Sequence, residues 1–318
     1  MHTNTEPLVV PAFHSFLSGL IDYAGLYPPA QLPLHQAIHH YYDYLRSPDR
    51  WMLGHFVIGV GQLAHLTTIL DEHPYLLEVE PLSLAVVGQG GATEEDFLDN
   101  CREDAAAIQT FCEAHANQVN VAQLELKLPK FTDAAAVTQL LHNTRAVFSL
   151  PIYYELNLDE NWEAQLGAAA AGISEFGPSA GLKLRTGGLV AEAFPSVPQV
   201  AAVIAACLEA KIPLKFTAGL HHPIRQYRDE VQTKMHGFIN VFGAGILAYT
   251  EQFSPAQINL VLSEEQPDRF VFDPRGFHWQ VYEVKAEQVA AARQSALISF
   301  GSCSFDDPRH DMQALGWL

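Results

Sequence analysis

Gly181-Leu182-Lys183-Leu184-Arg185-Thr186-Gly187-Gly188 sets a lysine in the middle of a short apolar segment that runs straight into a Thr/Gly turn. A second segment of the same design follows: Ile212-Pro213-Leu214-Lys215-Phe216-Thr217-Ala218-Gly219. A buried parallel strand that ends at a ligand-binding loop reads this way. Lysine is seldom fully buried without a partner or a task. Side chains alternate along a strand, so Lys183 and Arg185 share one face, and Lys215 and Thr217 share one on the next. The helical stretch between them is long enough to make the two strands parallel neighbours. Two ammonium groups in one pocket would lower the pKa of a lysine and make it a nucleophile toward carbonyls.

The same alternation of strand and helix extends in both directions. Strand-like runs fall at 55–60, 82–87, 121–128, 151–156, 181–184, 213–217 and 237–242, with a weaker first one at 19–24. Helical patterns lie between them at 34–46, 62–72, 93–115, 133–144, 160–171, 197–210 and 223–235, with another at 254–264. Thr93 with Asp96, and Ser196, are placed to cap two of these. Strictly alternating βα units of this number predict a (β/α)8 TIM barrel in the α/β class, not a sandwich or a bundle. An open doubly wound sheet would carry GxGxxG or a P-loop near its first strand, and neither occurs; Gly88-Gln89-Gly90-Gly91 reads as a plain βα loop. The chain is expected to be one domain over residues 1–318, with the barrel at about 19–266 and a hairpin–helix–tail appendix at about 267–318. The hairpin is expected around Asp273-Pro274-Arg275-Gly276.

The outer face of a barrel strand packs on helices and must be apolar, so the charged face points inward, toward the rim where barrel active sites lie. In Leu124-Glu125-Leu126-Lys127-Leu128 the leucines take one face, and Glu125 and Lys127 the other. Tyr153, Glu155 and Asn157 share a face on the following strand, and Asn240 stands on the last. Asp22 closes the first strand at the mouth. Four of these inward groups are cations (Lys127, Lys183, Arg185, Lys215) and two are anions (Glu125, Glu155), although the chain carries a net charge of −18. Such a concentration favours a small anionic ligand, carboxylated or phosphorylated, for which Gly243 and Gly245 after the last strand could present backbone N–H groups. A structural ion-pair network of Glu125, Lys127 and Glu155 is the alternative use of the same charges.

The acidic balance argues against nucleic acid or an anionic membrane as a partner. No apolar run reaches the ~18 residues of a membrane span, and Met1 to Phe13 lacks the features of a signal peptide. Four well-separated cysteines without CxxC spacing predict reduced thiols and a cytoplasmic setting. Oligomerisation is left open, with a homo-oligomer as one outcome.

The stretch from Val121 to Tyr249 resembles the class I deoxyribose-phosphate aldolases and their relatives, which are (β/α)8 barrels. Leu182-Lys183-Leu184-Arg185-Thr186-Gly187 is similar to that family's Ile-Lys-Thr-Ser-Thr-Gly segment, whose lysine forms a Schiff base. Lys215-Phe216-Thr217-Ala218-Gly219 is similar to its Lys-Pro-Ala-Gly-Gly segment, whose lysine depresses the pKa of the first. Leu124-Glu125-Leu126-Lys127-Leu128-Pro129, Tyr154-Glu155-Leu156 and Phe242-Gly243-Ala244 are similar to a proton-shuttling strand, a glutamate-bearing strand and a phosphate loop there. The resemblance implies a lyase in which Lys183 attacks a carbonyl and Lys215 tunes it. Glu125 or Glu155 then moves protons. From their inward faces and their place at the rim, Asp22, Lys127, Asn157, Arg185, Thr186, Thr217, His221, Asn240, Gly243 and Gly245 are expected to contact substrate. Leu184, Arg185 and Lys127 depart from the family's pattern, and deoxyribose phosphate is not carried over as the substrate.

Two other classes stay open. His221, His222, His236 and Asp22 could form a metal site for a barrel lyase, isomerase or hydrolase, although no HxH or HExxH is present and no metal or other cofactor is expected. A barrel that only binds an anionic metabolite would use the lysines as ligands. His35, His39 and His40 read as helix surface, and Cys303 as part of a turn.

Overall fold

The computed structural model describes residues 10–131, 134–158 and 161–318. Residues 1–9 of the N-terminal segment and the helix starts expected at Asp133 and Glu160 lie outside them. Seven parallel strands follow the expected order: β1 (Ile21–Tyr23), β2 (Leu53–Gly59), β3 (Leu82–Val87), β4 (Val119–Lys127), β5 (Ile152–Glu155), β6 (Ala180–Arg185) and β7 (Leu214–Thr217). The chain then makes two antiparallel ribbons, β8 (Gln226–Arg228) with β9 (Thr233–Met235), and β10 (Phe270–Phe272), β11 (Phe277–Trp279) and β12 (Tyr282–Val284). It returns as β13 (Leu297–Ser302), which pairs with β7 on one side and β1 on the other and closes an all-parallel, eight-stranded barrel.

The helices are α1 (Pro11–Leu17), α2 (Leu34–Leu45), α3 (Leu63–Glu72), α4 (Glu94–Ala114), α5 (Ala134–Val147) and α6 (Trp162–Ser174). After them come α7 (Val197–Ala210), α8 (Phe238–Glu251), α9 (Pro255–Leu262), α10 (Ala286–Ser295) and α11 (Asp306–Ala314). Their ends obey local chemistry. Thr93 Oγ1 accepts the backbone N–H of Asp96 at 3.1 Å, and Glu94, Glu95 and Asp96 oppose the positive end of the α4 dipole. Ser196 and Gln199 form a reciprocal capping box at α7. The stretch Ala191–Ala210 is long and apolar enough to cross a membrane by composition, contrary to the sequence expectation. It is divided into a 3-10 turn and the fourteen-residue α7, which is shorter than a span of ~20 residues.

Leu124, Leu126, Leu182, Leu184 and Phe216 turn outward and are buried under the helices. Each such side chain contributes ~1.5–3 kcal/mol over leaving it in water. Inside the barrel a separate small apolar cluster (Ala24, Val57 and Ala85, with Tyr27 and Val87) lines the β1–β3 side. The polar strands β4–β7 face it.

The expected eighth strand at 237–242 is instead the first part of α8. Ile239-Asn240-Val241-Phe242 is apolar nearly all round, and over so short a window a buried strand and a buried helix look alike. Helix α8 is buried from Phe238 through Ala248. Gly243 and Gly245 lie in its interior, where an added Cβ would come within 2.9 Å of the Phe277 ring and 2.6 Å of Leu297. They let α8 pack closely on β11 and β13, so they are not an anion-binding loop. The true eighth strand, Leu297-Ile298-Ser299-Phe300-Gly301-Ser302, alternates apolar residues with Ser and Gly, which disguised it as irregular tail. The barrel therefore runs to residue 302, past the expected limit of 266, and the hairpin and α10 precede its last strand.

Arg293 of α10 secures this closure. It is buried and donates to Phe16 O at 2.8 Å and Ser18 O at 3.0 Å, and also to the carbonyls of Leu297 and Ile298. One guanidinium thus joins the end of α1 to the entry of β13.

Candidate active site

Strand register brings the charged residues together. Lys127 pairs with Glu155, Glu155 with Lys183, and Lys183 with Lys215 across β4, β5, β6 and β7. Inside the barrel their heads form one chain of opposite charges. Lys183 Nζ lies 2.8 Å from Glu155 Oε2 and 2.7 Å from Glu125 Oε2. Lys215 Nζ lies 2.8 Å from Glu125 Oε1 and donates to Asp22 Oδ2. The order is Glu155, Lys183, Glu125, Lys215, Asp22, from the mouth to the depth of the barrel. Lys215 and Asp22 are wholly buried, while Lys183 keeps 6% of its surface exposed and Glu155 8%.

Asp22 accepts from three further donors: the His55 backbone N–H on Oδ1 at 2.7 Å, and Ser299 Oγ at 2.7 Å and Gln123 Nε2 at 3.5 Å on Oδ2, the oxygen that also meets Lys215. It sits in the closed interior, not at the rim where its place in the sequence suggested. Gln123 was legible from alternation, two positions before Glu125. Ser299 was hidden with its strand. Tyr27 also stands near the network; burial and the Glu125 charge, against the opposing pull of Lys183, push its phenol up to about 12.

These pairings set the protonation states. Burial alone would push Glu125 up, but the two ammonium groups outweigh it and hold the carboxyl at about 2. Burial alone would lower Lys183 and Lys215, but the carboxylates beside each outweigh it and raise both above the ordinary lysine value. This reverses the sequence expectation that Lys215 would depress Lys183. The expectation weighed the neighbouring cations; the structure places two carboxylates in direct contact with Lys183, and charges in contact dominate those farther off.

Above this layer the site changes character. Lys127 and Arg185 are exposed at the strand ends and line a cleft of about 310 Å³ with Glu155, Asn157, Glu192 and Gln199. Arg185 donates Nε to Gly187 O at 3.0 Å, and Asn157 donates Nδ2 to Leu128 O at 3.3 Å. Thr186 is fully buried; its Oγ1 donates to Ala218 O at 2.6 Å and Thr217 O at 3.1 Å, tying the ends of β6 and β7 together. Thr217, half-buried, ends β7 beside Gly301. Gly219 takes φ +74°, and a Cβ there would lie 2.8 Å from Gly187 Cα, so this crossing of the two loops requires glycine.

The remaining expected residues lie apart. Asn240 is buried within α8, where it accepts the Arg225 N–H at 2.8 Å and donates to Val261 O and Glu264 O. It has no part in the barrel interior, because its segment is helical. His221 Nδ1 is 3.8 Å from Cys303 Sγ, His222 Nδ1 is 2.5 Å from Asp311 Oδ2, and His236 Nε2 is 2.7 Å from Pro195 O. With Asp22 in the interior, the alternative metal set is thus dispersed. Among the described residues no group of three or more His, Cys, Asp or Glu side chains is gathered for a metal ion. His221 and His222 line a second cleft of about 690 Å³ with Arg228, Asp307 and His310. It is the larger opening, but the buried network does not reach its wall, whereas Glu155 of that network lines the smaller one.

No protein-family model matches the chain, and no curated protein matches it either. Among solved structures it is similar to the deoxyribose phosphate aldolase of Aeropyrum pernix, described as a unique tetramer. That likeness has 12% identity and a TM-score of 0.48, and it covers 95% of this chain and 93% of the other. A mandelate oxidase structure is similar at 12% identity and a TM-score of 0.35, over 83% of this chain and 73% of its own. The barrel stands on its own strand order, independently of either likeness.

Proposed function

We propose that the protein is a lyase of the class I aldolase type, which forms an imine between Lys183 and a small carbonyl compound. The observation that carries this reading is the position of Lys183: its amine lies between two carboxylates, one of them the Glu155 that lines the cleft, and the residue keeps 6% of its surface exposed. In the resting state Lys183 is an ammonium. Transfer of one proton to Glu155 leaves a neutral amine, which adds to the carbonyl carbon as the carbonyl oxygen takes up a proton. Loss of water then gives the protonated imine, an electron sink for making or breaking the adjacent C–C bond. Glu125, shared by both lysines, keeps Lys215 charged and fixes the amine in place.

A barrel that binds an anionic metabolite without turning it over is the second reading. The raised pKa of both lysines favours it, since each is already neutralised by carboxylates. Carbon-13 NMR of carbonyl-labelled pyruvate and acetaldehyde separates the two. The lyase reading expects a new imine carbon signal in the wild type that is lost in Lys183→Met. Binding without that signal would leave only the second reading.

A further inference from the structure

We propose that Lys127 and Arg185 form an oxyanion subsite that receives the carboxylate or phosphate of the substrate, on the β4–β6 side of the mouth. The inference rests on the lyase reading only for the word substrate; the subsite itself follows from the geometry. Lys127 and Arg185 stand at the C-terminal ends of β4 and β6, with a single strand between them and Arg185 two residues farther along, so their backbones are ~12 Å apart. Lys127 and Glu155 are cross-strand partners, and Arg185 is two residues beyond Lys183 on the same face. All line the one cleft of about 310 Å³ directly above Glu155, and that volume suits a small metabolite.

Their charges are available. The guanidinium of Arg185 uses Nε on Gly187 O, and no described carboxylate pairs with it or with Lys127. Glu155 is in the same wall, but its charge is engaged by Lys183. Glu192 is exposed at the lip, where water screens it, and it opposes an anion weakly. In a protein of net charge −18, two cations that no described carboxylate pairs, over a carboxylate-bound lysine, create a local field that draws an anion to the mouth. An oxyanion held there directs the rest of a short molecule down the inward face toward Lys183. Gly243 and Gly245, buried in α8, cannot serve this purpose.

Isothermal titration calorimetry with inorganic phosphate and with pyruvate tests the subsite on the full chain, with or without imine chemistry. Saturable binding of one or both probes to the wild type is expected, and which one binds assigns the headgroup. The dissociation constant should rise about tenfold in Lys127→Gln and in Arg185→Gln. It should fall in Glu192→Gln and stay unchanged in Lys211→Gln, whose lysine caps α7 ahead of β7, at the opposite end of the strands from the cleft. Absence of saturable binding to the wild type, or equal binding by all four variants, overturns the subsite. The same titrations on Lys183→Met separate the two proposals. Phosphate binding that persists in Lys183→Met shows that the subsite stands without imine chemistry, and phosphate binding by a wild type that forms no imine with either carbonyl probe sinks the lyase reading alone. Imine formation with pyruvate that is indifferent to Lys127→Gln and Arg185→Gln overturns the subsite alone.

Discussion

At the scale of single residues, the site is governed by which charges touch. Lys183 contacts two carboxylates, so its neutral fraction at pH 7 is below that of a free lysine and rises with pH. The proton that leaves Lys183 stays on Glu155 and is not lost to water, so imine formation is expected to run at a level rate through the neutral range. Glu155→Gln removes that acceptor together with its charge, so imine formation should slow about a hundredfold at pH 7 and rise with pH as the amine loses its proton to water. An unmoved profile would mean that Glu155 does not set the state of Lys183. Glu125 has a different part, since it holds both lysines. Glu125→Leu leaves two buried ammonium groups short of a partner and should cost about 3–5 kcal/mol in urea unfolding. Much of this was legible in the sequence, because alternation with leucine placed Glu125, Glu155, Lys183 and Lys215 on one face. Their pairing was not legible. Alternation says which way a side chain points but not which opposite charge it meets, and Asp22 reached the interior only through a strand three residues long.

At the scale of elements, β13 and α8 decide the closure of the barrel. Both were misread for the same reason: each is a short segment whose local pattern suits another structure, and only its neighbours select. Phe238–Ala248 is buried on all sides, so no amphipathic stripe marks it as a helix. In β13 the inward positions Ser299 and Gly301 are small, so no bulky alternation marks it as a strand. Packing at this junction is tight, and Gly245→Val drives two methyl groups into Leu297, an overpacking that should cost about 1–3 kcal/mol. Arg293→Met keeps the stem but abandons four backbone carbonyls, and a loss of about 3 kcal/mol is expected. Wild-type stability in either variant would show that the contacts at the base of β13 do not limit folding.

At the scale of the whole molecule, a chain cut after residue 266 lacks the eighth strand and should show no cooperative unfolding transition. A cooperative transition would place the folded unit where the sequence first suggested. The charge network also shapes the dependence of stability on pH. Glu125 is held at about 2, below its ordinary 4.5, so its contribution is full above the ordinary value and fades as pH falls toward 2. Lys183 and Lys215 are raised above 10.5, so theirs is full below that value and fades only at higher pH. A plateau from about pH 5 to 10 with a fall on each side is expected, and Glu125→Gln should shrink the acid limb. The central claim is that this barrel presents Lys183, and not Lys215, to a carbonyl. Reduction with borohydride in the presence of pyruvate or acetaldehyde, followed by peptide mass spectrometry, tests it most directly. The account predicts a stable adduct on the peptide that carries Lys183, absent from Lys183→Met and retained in Glu192→Gln. An adduct on Lys215, or none with either carbonyl compound, would contradict it.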